Sequence, residues 1–425
     1  MAGSHPEGGP SLIVTTIDLP YPPNYGHKVD QYNRWKGFAE RGWRLKLICW
    51  RSPQDPPTGS ADVEALRGVF DEIDVLPIRH DAMSFARRLA LLPRYPSHVA
   101  SRIPDAATRT RLIAEARAFR PSAVVHDGIY GAALGNELAR ACGVPTIVRG
   151  HNVEHVYFAQ QARAVKDLRS KLAWTIARLG LARWERKVMR DAAWSFQIST
   201  DDVAYWQRQG IGHVSWAPTV YPARAQAKRL PPAARPYDVA YIGNMRLPNN
   251  LQGLAWFVRE VLPELRQLRP GVTLCFAGAN PGEEARTIFA AAPDIALIPD
   301  APDADAILDS GRVLVNPILS GSGVNVKSID MLRHDAPIVT TPIGVQGFPA
   351  ELRNQFAVRS DPRSFAAAIA EALADPQTPT GRAEAAALFL EDGLEKQIAS
   401  YANVIAGRRA EEPSANPQPR WTDAA

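Results

Sequence analysis

Cysteine is scarce in this sequence, and so are long apolar runs. Among the 425 residues there are three cysteines, Cys49, Cys142 and Cys275, which lie far apart and form no CxxC pair. This spacing excludes a disulfide framework and a structural zinc site, and it favours a reducing, cytoplasmic location. No stretch reaches the ~18 consecutive apolar residues of a membrane-spanning helix, and the first ten residues lack the pattern of a secretion signal.

An excess of charge of one sign is also lacking. Lys and Arg number 49 against 44 Asp and Glu, which gives a formal net charge of +5. A balance this mild gives no support for nucleic acid as a partner. Apolar residues make up 46% and charged residues 22%, as in soluble globular proteins, so the chain can bury cores of its own. At this length we expect two domains.

In the first half of the chain, short β-branched runs alternate with helical patterns. The predicted elements are strands at 11–16, 45–50, 123–126, 145–148 and 195–199, and helices at 111–119, 131–142 and 164–190. Alternation of this kind is typical of βαβ units and a parallel sheet. We therefore predict a Rossmann-like domain at 11–217, after a flexible N-terminus at 1–10.

Residues 218–236 are rich in Pro, Ala and basic residues without periodicity, which is typical of a linker between domains. Beyond them the alternation resumes, with strands at 238–242, 272–277, 295–298, 312–316 and 337–341 and helices at 250–268 and 282–291. This predicts a second Rossmann-like domain at 237–390. A helix at 391–407, able to cross back to the first domain, and a disordered tail at 408–425 complete the chain.

The most informative segment is 316–341, where Gly321 and Gly323 follow a predicted strand and Lys327 lies in the first turns of a predicted helix. Glycines let backbone N–H groups approach an anion, and a lysine adds a full positive charge. The segment predicts a diphosphate site, with Asp330 placed near the same helix face to accept hydrogen bonds from a ribose. The alternative is an ordinary turn followed by a solvated Lys–Asp pair.

A second loop follows the first strand of the second domain. It contains Gly243 and Asn244, then Arg246, which we expect to reach the same diphosphate. The alternative for Arg246 is an ordinary surface arginine. Asn249 or Asn250 is predicted to cap the next helix.

In order and spacing, these motifs resemble the retaining GT-B glycosyltransferases of family 4 (group 1), from residue 11 to about residue 407. In the second domain the resemblance is carried by YIGNMRLPNN, VTLCFAGANPG and NPILSGSGVNVKSIDMLRHDAPIVTTPIGVQGF, and in the first by PYPPNYGHK and VRGHNVEHVYF. It implies two Rossmann-like domains that face a central cleft, with the donor site in the second and the acceptor side in the first. It also implies that Gly26 approaches the donor phosphates and that His151 is the active-site histidine.

The sequence departs from the family pattern in three ways. Ser322 and Asp330 stand where the family has a pair of glutamates, and Tyr25 precedes Gly26 where a Gly-Gly pair is common. Arg246 alone represents the usual Arg and Lys of the donor loop. Asp330 preserves a carboxylate for the ribose, whereas Ser322 cannot act as a carboxylate towards the sugar.

The resemblance implies transfer of a sugar, as in hexosyltransferases, from a UDP- or GDP-type nucleotide sugar to a glycan or lipid-linked acceptor, with retention and in polysaccharide biosynthesis. Lys327 and Arg246 would stabilise the leaving diphosphate, and His151 would orient the sugar. The alternative for His151 is a loop histidine satisfied by its neighbours in the chain. No Asp-x-Asp pair stands at a predicted strand end, so we expect neither a metal nor another cofactor. Asp18 and His126 are weaker candidates for substrate contact.

Residues 166–190 mix basic residues with Trp174, Trp184 and leucines. Such a stretch predicts either peripheral contact with anionic lipid at the inner face of a membrane or a packed helix with a solvated basic face. Two rival functions remain: an epimerase that acts on a nucleotide sugar, and a non-catalytic partner that binds one. A dinucleotide oxidoreductase is disfavoured, because no GxGxxG follows the first strand of either domain.

Overall fold

The computed structural model describes residues 10–23, 26–55, 59–165, 167–221, 231–279, 281–321 and 323–410. The chain divides into two compact units. The first unit takes the described residues of Met1–Pro222 and Glu391–Ser414, and the second takes those of Ala223–Leu390.

Within its described residues, the first unit has one parallel sheet of seven strands. These strands are β1 (Ser11–Thr15), β2 (Arg44–Arg51), β3 (Glu72–Pro77), β4 (Ala123–Asp127), β5 (Thr146–Gly150), β6 (Trp194–Gln197) and β7 (Val214–Trp216). Their order across the sheet is β3-β2-β1-β4-β5-β6-β7.

Helices cover the sheet of the first unit. They are α1 (Gly26–Glu40), α2 (Ser60–Arg67), α3 (Ala82–Leu91), α4 (Ser97–Ala100), α5 (Ala106–Phe119), α6 (Ala132–Cys142), α7 (Glu154–Ala164), α8 (Leu168–Ala177), α9 (Leu181–Asp191) and α10 (Thr200–Arg208), with a 3₁₀ turn at Ile129–Gly131. Strand β1 shows why two layers form: Leu12 and Val14 pack in one core with Trp35, while Ile13 packs in the other with Leu112. The three central positions of this buried strand are apolar because both faces of the sheet are covered.

The second unit repeats the architecture with a sheet of six parallel strands in its described residues. They are β8 (Tyr237–Ile242), β9 (Leu274–Gly278), β10 (Ile295–Pro299), β11 (Gly311–Asn316), β12 (Ile338–Thr340) and β13 (Ala357–Val358). Their order is β10-β9-β8-β11-β12-β13.

The helices of the second unit are α11 (Pro248–Trp256), α12 (Leu262–Leu268), α13 (Glu283–Ala290), α14 (Ala304–Ser310), α15 (Val326–Leu332), α16 (Ala350–Arg353), α17 (Pro362–Ala374) and α18 (Arg382–Ala387). A π-helical turn at Phe257–Val261 joins α11 to α12, and 3₁₀ turns lie at Pro232–Ala234 and Pro342–Val345. The apolar faces of α11, α12, α13 and α17 pack with the sheet in one core around Tyr241, Phe257, Phe276 and Phe365.

In each sheet the strand order reverses next to the first strand. The reversal falls between β1 and β4 in the first unit and between β8 and β11 in the second. In open α/β sheets, ligands bind outside the carboxyl ends of the strands at such a reversal. The loops that follow these four strands are therefore where each unit is expected to bind a ligand.

The last helix, α19 (Glu391–Ile405), is part of the first unit. Its Tyr401 stacks on Phe196, with ring centroids 4.6 Å apart. Its Leu394 lies so close to α1 that a Cβ on Gly37 would come within 2.2 Å of the leucine side chain. The buried aromatic stack and this close approach fix α19 against the sheet of the first unit.

The sequence-based elements differ from the structure in two helices. The helix predicted at 164–190 is wrong as one element: it is divided into α8 and α9, because Gly180 caps α9 with a left-handed φ of +76°. The helix predicted at 250–268 exists, but it widens into the π turn just before Pro263, which has no N–H to donate and whose ring crowds the preceding turn.

Three strands were not predicted, namely β3, β7 and β13. The edge strand β3 (sequence EIDVLP) is mostly exposed or half-buried and carries two carboxylates, so it lacks an apolar run. Strands β7 and β13 have three and two residues, which is too short for a pattern to show.

Candidate functional site

The carboxyl end of β8 in the second unit brings together a glycine, a tyrosine and a lysine from distant parts of the chain. The Lys327 amine, at the second position of α15, donates to the Tyr241 hydroxyl at 3.2 Å and to Asn250 Oδ1 at 2.7 Å. Gly243 leaves the room that this arrangement needs, since a Cβ there would lie 2.3 Å from the tyrosine oxygen and 3.3 Å from Lys327 Cδ. The two predicted site residues Gly243 and Lys327 are therefore neighbours.

Hydrogen bonds extend from this lysine into the loop after β8. The Asn250 amide donates to the Asn244 carbonyl at 2.8 Å, and Asn244 Oδ1 accepts from the backbone N–H of Arg246 at 2.9 Å. The predicted helix cap at Asn249 or Asn250 is wrong, because α11 already begins at Pro248. Asn250 instead links the lysine to the loop, while Asn244 and Arg246 are exposed beside it.

The loop between β11 and α15 contains the predicted glycines. Gly321, with φ +156°, lies near Asn249, and Gly323 has a left-handed φ of +72°, so neither position readily takes a residue with a side chain. The loop packs closely on α11, where a Cβ on Gly253 would meet the Pro317 carbonyl at 2.3 Å. Ser322, predicted to bind the donor, lies outside the described residues.

The electrostatic state of Lys327 is unusual. The residue is partly buried, and burial lowers the pKa of its amine to about 7. Within the described part of the chain, its hydrogen-bond partners are the neutral groups of Tyr241 and Asn250, and no carboxylate pairs with it. The helix that carries it has seven residues, so its dipole adds little. The lysine side chain is thus the main positive group at this point of the sheet.

Asp330 lies one turn further along α15 but has different partners. Its carboxylate accepts from Arg333 at 3.4 Å, and Arg333 also lies 3.7 Å from Asp305. Burial raises the pKa of Asp330 to about 6, while the charge of Arg333 lowers it. About a third of the aspartate side chain is exposed, so its carboxylate remains accessible.

In the first unit, His151 follows the carboxyl end of β5. Its Nε2 lies 2.6 Å from Asp127 Oδ1 at the end of β4, and Arg149 Nη1 lies 3.3 Å from its Nδ1. The histidine side chain is 14% exposed. Its neighbours in the chain, Asn152 and Glu154, do not provide these contacts, so the alternative of a histidine satisfied locally does not describe it.

The loop after β1 is described in part. Gly26 is the first residue of α1, and Tyr25 lies outside the described residues. Asp18 lies 3.3 Å from Lys28 and 3.7 Å from His27, and these partners outweigh burial and lower its pKa. Gly26 and the Asp18 carboxylate thus lie at the carboxyl end of β1, where the strand order reverses.

His126 is not a substrate-contacting residue. It is fully buried, its Nε2 lies 2.8 Å from Asn136 and its Nδ1 lies 3.3 Å from Thr15. Burial lowers the pKa of His126 to about 4. The prediction that it touches substrate is wrong, because β4 places it below the sheet edge.

Sequence reasoning missed an acidic cluster beside His151. Glu154 accepts from the Tyr130 hydroxyl at 2.7 Å, and Glu185 on α9 accepts from the backbone N–H groups of Glu154 and His155 at 2.8 and 3.1 Å. Burial raises the pKa of Glu154 to about 7; the tyrosine lowers it and the charge of Glu185 raises it. The HNVEH motif was a local signal for Glu154, but its partners are 24 and 31 residues away.

The two tryptophans of 166–190 agree with the alternative of a packed helix. Trp184 is buried and donates to the Ile129 carbonyl at 3.3 Å, and Trp174 packs edge-on to Phe158 at 4.9 Å. The exposed apolar residues of this stretch are instead Leu168, Leu172, Ile176 and Leu179.

Among the residues that the structure describes, no group of three or more His, Cys, Asp or Glu side chains is arranged to hold a metal ion. None of the helices in the described ranges is both long and apolar enough to span a membrane.

Solved structures with this architecture are glycosyltransferases of the GT-B fold. Sucrose-phosphate synthase of Thermosynechococcus elongatus superposes with a TM-score of 0.62 at 16% identity, over 94% of this chain and 100% of its own. Alr3699/HepE of Anabaena, in complex with UDP, has a TM-score of 0.62 at 12% identity, over 92% and 99%. At these identities the likeness shows the fold, and the predicted GT-B class with two Rossmann-like domains is confirmed.

Sequence matches are consistent with this fold. Residues 236–375 match the family model of the glycosyl transferases group 1. A Klebsiella pneumoniae protein named "Uncharacterized 44.6 kDa protein in cps region" is 24% identical over 366 residues, which is 84% of this chain and 89% of that protein. The family match in the second unit and the GT-B fold together support a group 1 glycosyltransferase.

Proposed function

We propose that the chain transfers a sugar, such as a hexosyl group, from a UDP- or GDP-type nucleotide sugar to a glycan or lipid-linked acceptor, with retention of configuration. The proposal rests on the position of the Lys327 amine. It lies where the strand order of the second sheet reverses, and its hydrogen-bond partners there are neutral. A buried cation without a carboxylate partner is stabilised when an anion binds. A diphosphate has the charge and reach to do so.

In the transfer step, negative charge builds up on the departing diphosphate, and a group that stabilises this charge accelerates the reaction. In our proposal Lys327 carries that role and the exposed Arg246 assists it, so that no metal ion or other cofactor is needed. Backbone N–H groups of Gly243, Gly321 and Gly323 approach the phosphates. The accessible carboxylate of Asp330 accepts hydrogen bonds from the ribose hydroxyls.

The first unit provides the acceptor side of the proposal. Gly26 approaches the donor phosphates, and His151 orients the transferred sugar. A role in polysaccharide biosynthesis is supported by the Klebsiella relative, whose name places it in a cps region. UDP is the first nucleotide to test, because Anabaena HepE was solved with UDP and with UDP-glucose.

The donor site is tested by calorimetric titration with UDP, GDP, ADP and TDP in EDTA. We expect one nucleotide to bind, and Lys327→Met to weaken it by roughly 10- to 100-fold, because a charge-assisted hydrogen bond is lost. Arg363→Met, which removes an exposed cation of the same unit, should leave binding unchanged. Binding that requires a divalent ion, or that survives Lys327→Met, would contradict the proposal.

The same titration has a second readout. Since the amine has a pKa of about 7 without ligand, about a tenth of it is protonated at pH 8. A bound diphosphate favours the ammonium, so binding at pH 8 should take up nearly one proton, as measured in buffers of different ionisation enthalpy. Lys327→Arg keeps the charge and should bind with little proton uptake.

Product analysis separates the rival functions. A transferase releases nucleoside diphosphate when acceptor is added, and the product sugar keeps its anomeric configuration by NMR. An epimerase would convert the nucleotide sugar without acceptor and without release. A non-catalytic partner would bind the donor and leave it intact.

A lipid-linked acceptor is favoured by two exposed apolar rows in the first unit. Along α8 and just beyond it they are Leu168, Leu172, Ile176 and Leu179, and along α3 and just beyond it they are Phe85, Leu89 and Leu92. Spacing of three to four residues puts each row on one helix face. Leu92 and Gly180 at the ends of these rows line one groove of about 1010 Å³ with the cations Arg94, Arg183 and Lys187. We propose that this face contacts an anionic membrane surface from the cytoplasmic side.

Sedimentation with vesicles tests the membrane contact. We expect binding to vesicles that contain phosphatidylglycerol and little binding to neutral phosphatidylcholine. Leu172→Glu should abolish binding, whereas Leu268→Glu, at a half-exposed leucine of the second unit, should not. Equal binding of both variants would exclude this face.

A further inference from the structure

The ring of His151 is held by two side chains from neighbouring strands. Its Nε2 lies 2.6 Å from Asp127 Oδ1, and Arg149 Nη1 lies at similar distances from both ring nitrogens, 3.3 Å from Nδ1 and 3.4 Å from Nε2. Both partners are fully buried at the carboxyl ends of β4 and β5. The register of these strands brings them together, because Asp127 pairs with Arg149 across the sheet.

The Asp127 carboxylate is itself fixed at both oxygens. While Oδ1 faces His151, Oδ2 accepts from Trp35 Nε1 at 2.9 Å. Arg149 is held on its other side, where Nη2 lies 2.5 Å from Asp30 Oδ2. Neither group can turn away from the histidine without breaking a second buried contact.

The buried charges are balanced without the histidine. Asp30 and Asp127 provide two negative charges, and Arg34 and Arg149 provide two positive ones, all four nearly inaccessible. Burial raises the pKa of Asp127, but the hydrogen bond with His151 and the charges of Arg149 and Arg34 lower it, and the pKa lies below its ordinary value. An ionised Asp127 can only accept a hydrogen bond, so the ring nitrogen that faces it, Nε2, is the one that carries the proton, and Nδ1 is left unprotonated in the neutral ring.

The network is anchored far from the histidine. Arg34 donates to the Pro218 carbonyl at 2.8 Å and to Gln397 of α19. Asp30 Oδ1 accepts from the Val220 backbone N–H at 2.7 Å. The groups that hold the ring are thus tied to helix α1, to the end of the chain segment after β7 and to α19.

We propose that Asp127 is a positioning residue that fixes His151 in the Nε2-protonated tautomer and in one ring orientation, with Arg149 as the second contact. The catalytic consequence of this inference rests on the proposed function, whereas the tautomer of His151 does not depend on it. A ring whose Nε2 proton is held by Asp127 orients the sugar by contact and does not relay that proton. The role matters because a small misplacement of an orienting group slows catalysis strongly.

The tautomer is measured directly by ¹⁵N NMR of the histidines at pH 8 in the unmodified protein. His151→Gln identifies the signal of His151. We expect a protonated Nε2 and a bare Nδ1; a protonated Nδ1 would overturn the inference whether or not the protein is a transferase. Asp127→Asn should change this signal, whereas Asp74→Asn, which removes a largely buried carboxylate on β3, should not.

Kinetics test the consequence with a double variant. We expect Asp127→Asn to lower kcat roughly 10- to 100-fold while the affinity for the nucleoside diphosphate stays within twofold. If Asp127 acts through His151, the double variant Asp127→Asn/His151→Gln is no slower than His151→Gln alone. Independent, multiplying losses would overturn the positioning role. Loss of nucleotide binding in the unmodified protein would instead count against the proposed function.

Discussion

The two units bury their cations in opposite ways. In the first unit, Arg149 is fully buried and lies 2.5 Å from Asp30 and 3.8 Å from Asp127. In the second, Lys327 is partly buried and its amine meets a tyrosine hydroxyl and an amide oxygen. One cation is matched by carboxylates, and the other, within the described residues, is not.

This difference separates a structural charge from a site for a ligand. A buried ion pair is costly to desolvate and is broken only at a large cost, so it holds a fixed arrangement. A cation with neutral partners loses its proton readily, as the lowered pKa of Lys327 shows, until an anion arrives. We read the first arrangement as the frame of His151 and the second as the place of a diphosphate.

Among the described residues, the first unit also contains a carboxylate that no cation pairs with, at Glu154. It accepts a hydrogen bond from a tyrosine, and burial and the charge of Glu185 raise its pKa to about 7. Glu154 is the acidic counterpart of Lys327. Whether a charged side chain has a partner of opposite charge therefore matters more here than the unit in which it lies.

The largest effect is expected from breaking the paired network. Arg149→Met leaves Asp30 and Asp127 buried with one cation fewer, which should lower the free energy of unfolding by about 3–5 kcal/mol. Chemical denaturation measures this. Arg111→Met, which removes a half-exposed arginine paired with Asp74, is the control and should cost less than about 1 kcal/mol. Equal losses would remove the distinction between the two kinds of charge.

Removing the unpaired cation Lys327 should change the free energy of unfolding in the opposite direction. The folded pKa of Lys327, about 7, lies below the ordinary value of 10.5. The folded state therefore binds fewer protons between these values, and stability rises with pH across this window. We expect Lys327→Met to stabilise the protein by about 2 kcal/mol at pH 6.5 and to gain less at pH 10. Thermal unfolding at both pH values measures it; a destabilised variant at pH 6.5 would contradict the prediction.

Supplying the missing carboxylate should convert the ligand site into an ion pair. Asn250→Asp places a negative oxygen where Asn250 Oδ1 now lies, 2.7 Å from the lysine amine. We expect nucleoside diphosphate to bind roughly tenfold more weakly, about 1.4 kcal/mol, because the charge is neutralised. Gln267→Glu, which adds the same charge at an exposed position of α12, is the control and should leave binding unchanged. Unchanged affinity in Asn250→Asp would show that the diphosphate does not meet Lys327.

The smallest effect is expected at Glu154. Its folded pKa, about 7, lies above the ordinary value of 4.5, so the folded state binds more protons in between. The stability it contributes is present at low pH and is lost as pH rises through 7. Glu154→Gln should therefore be nearly neutral at pH 5 and stabilising by about 1 kcal/mol at pH 8.5. The exposed Glu64→Gln should show no such pH dependence in thermal unfolding.

The site could be predicted where its residues lie in one loop. Gly321, Gly323 and Lys327 stand within one stretch of seven residues that follows β11. The backbone conformations of the two glycines agree with a loop that needs glycine there. The same reasoning failed for His126, since a strand pattern does not say which residue is the last to reach the surface. It left Trp174 and Trp184 open between a membrane surface and a packed helix, because an aromatic residue on an amphipathic helix suits a core as well as a membrane.

By itself, the sequence determined the alternation of strand and helix, the division into two Rossmann-like units and the glycine–lysine segment, since each depends on residues close together in the chain. The tertiary structure alone decided the partners. Lys327 meets Tyr241 from 86 positions earlier, and His151 meets Asp127 from 24 positions earlier. Such pairs form only when the strand order is set, because neighbouring strands in a parallel sheet come from distant parts of the chain. Which charges are paired, and so which one is left for a ligand, therefore depends on the sheet topology.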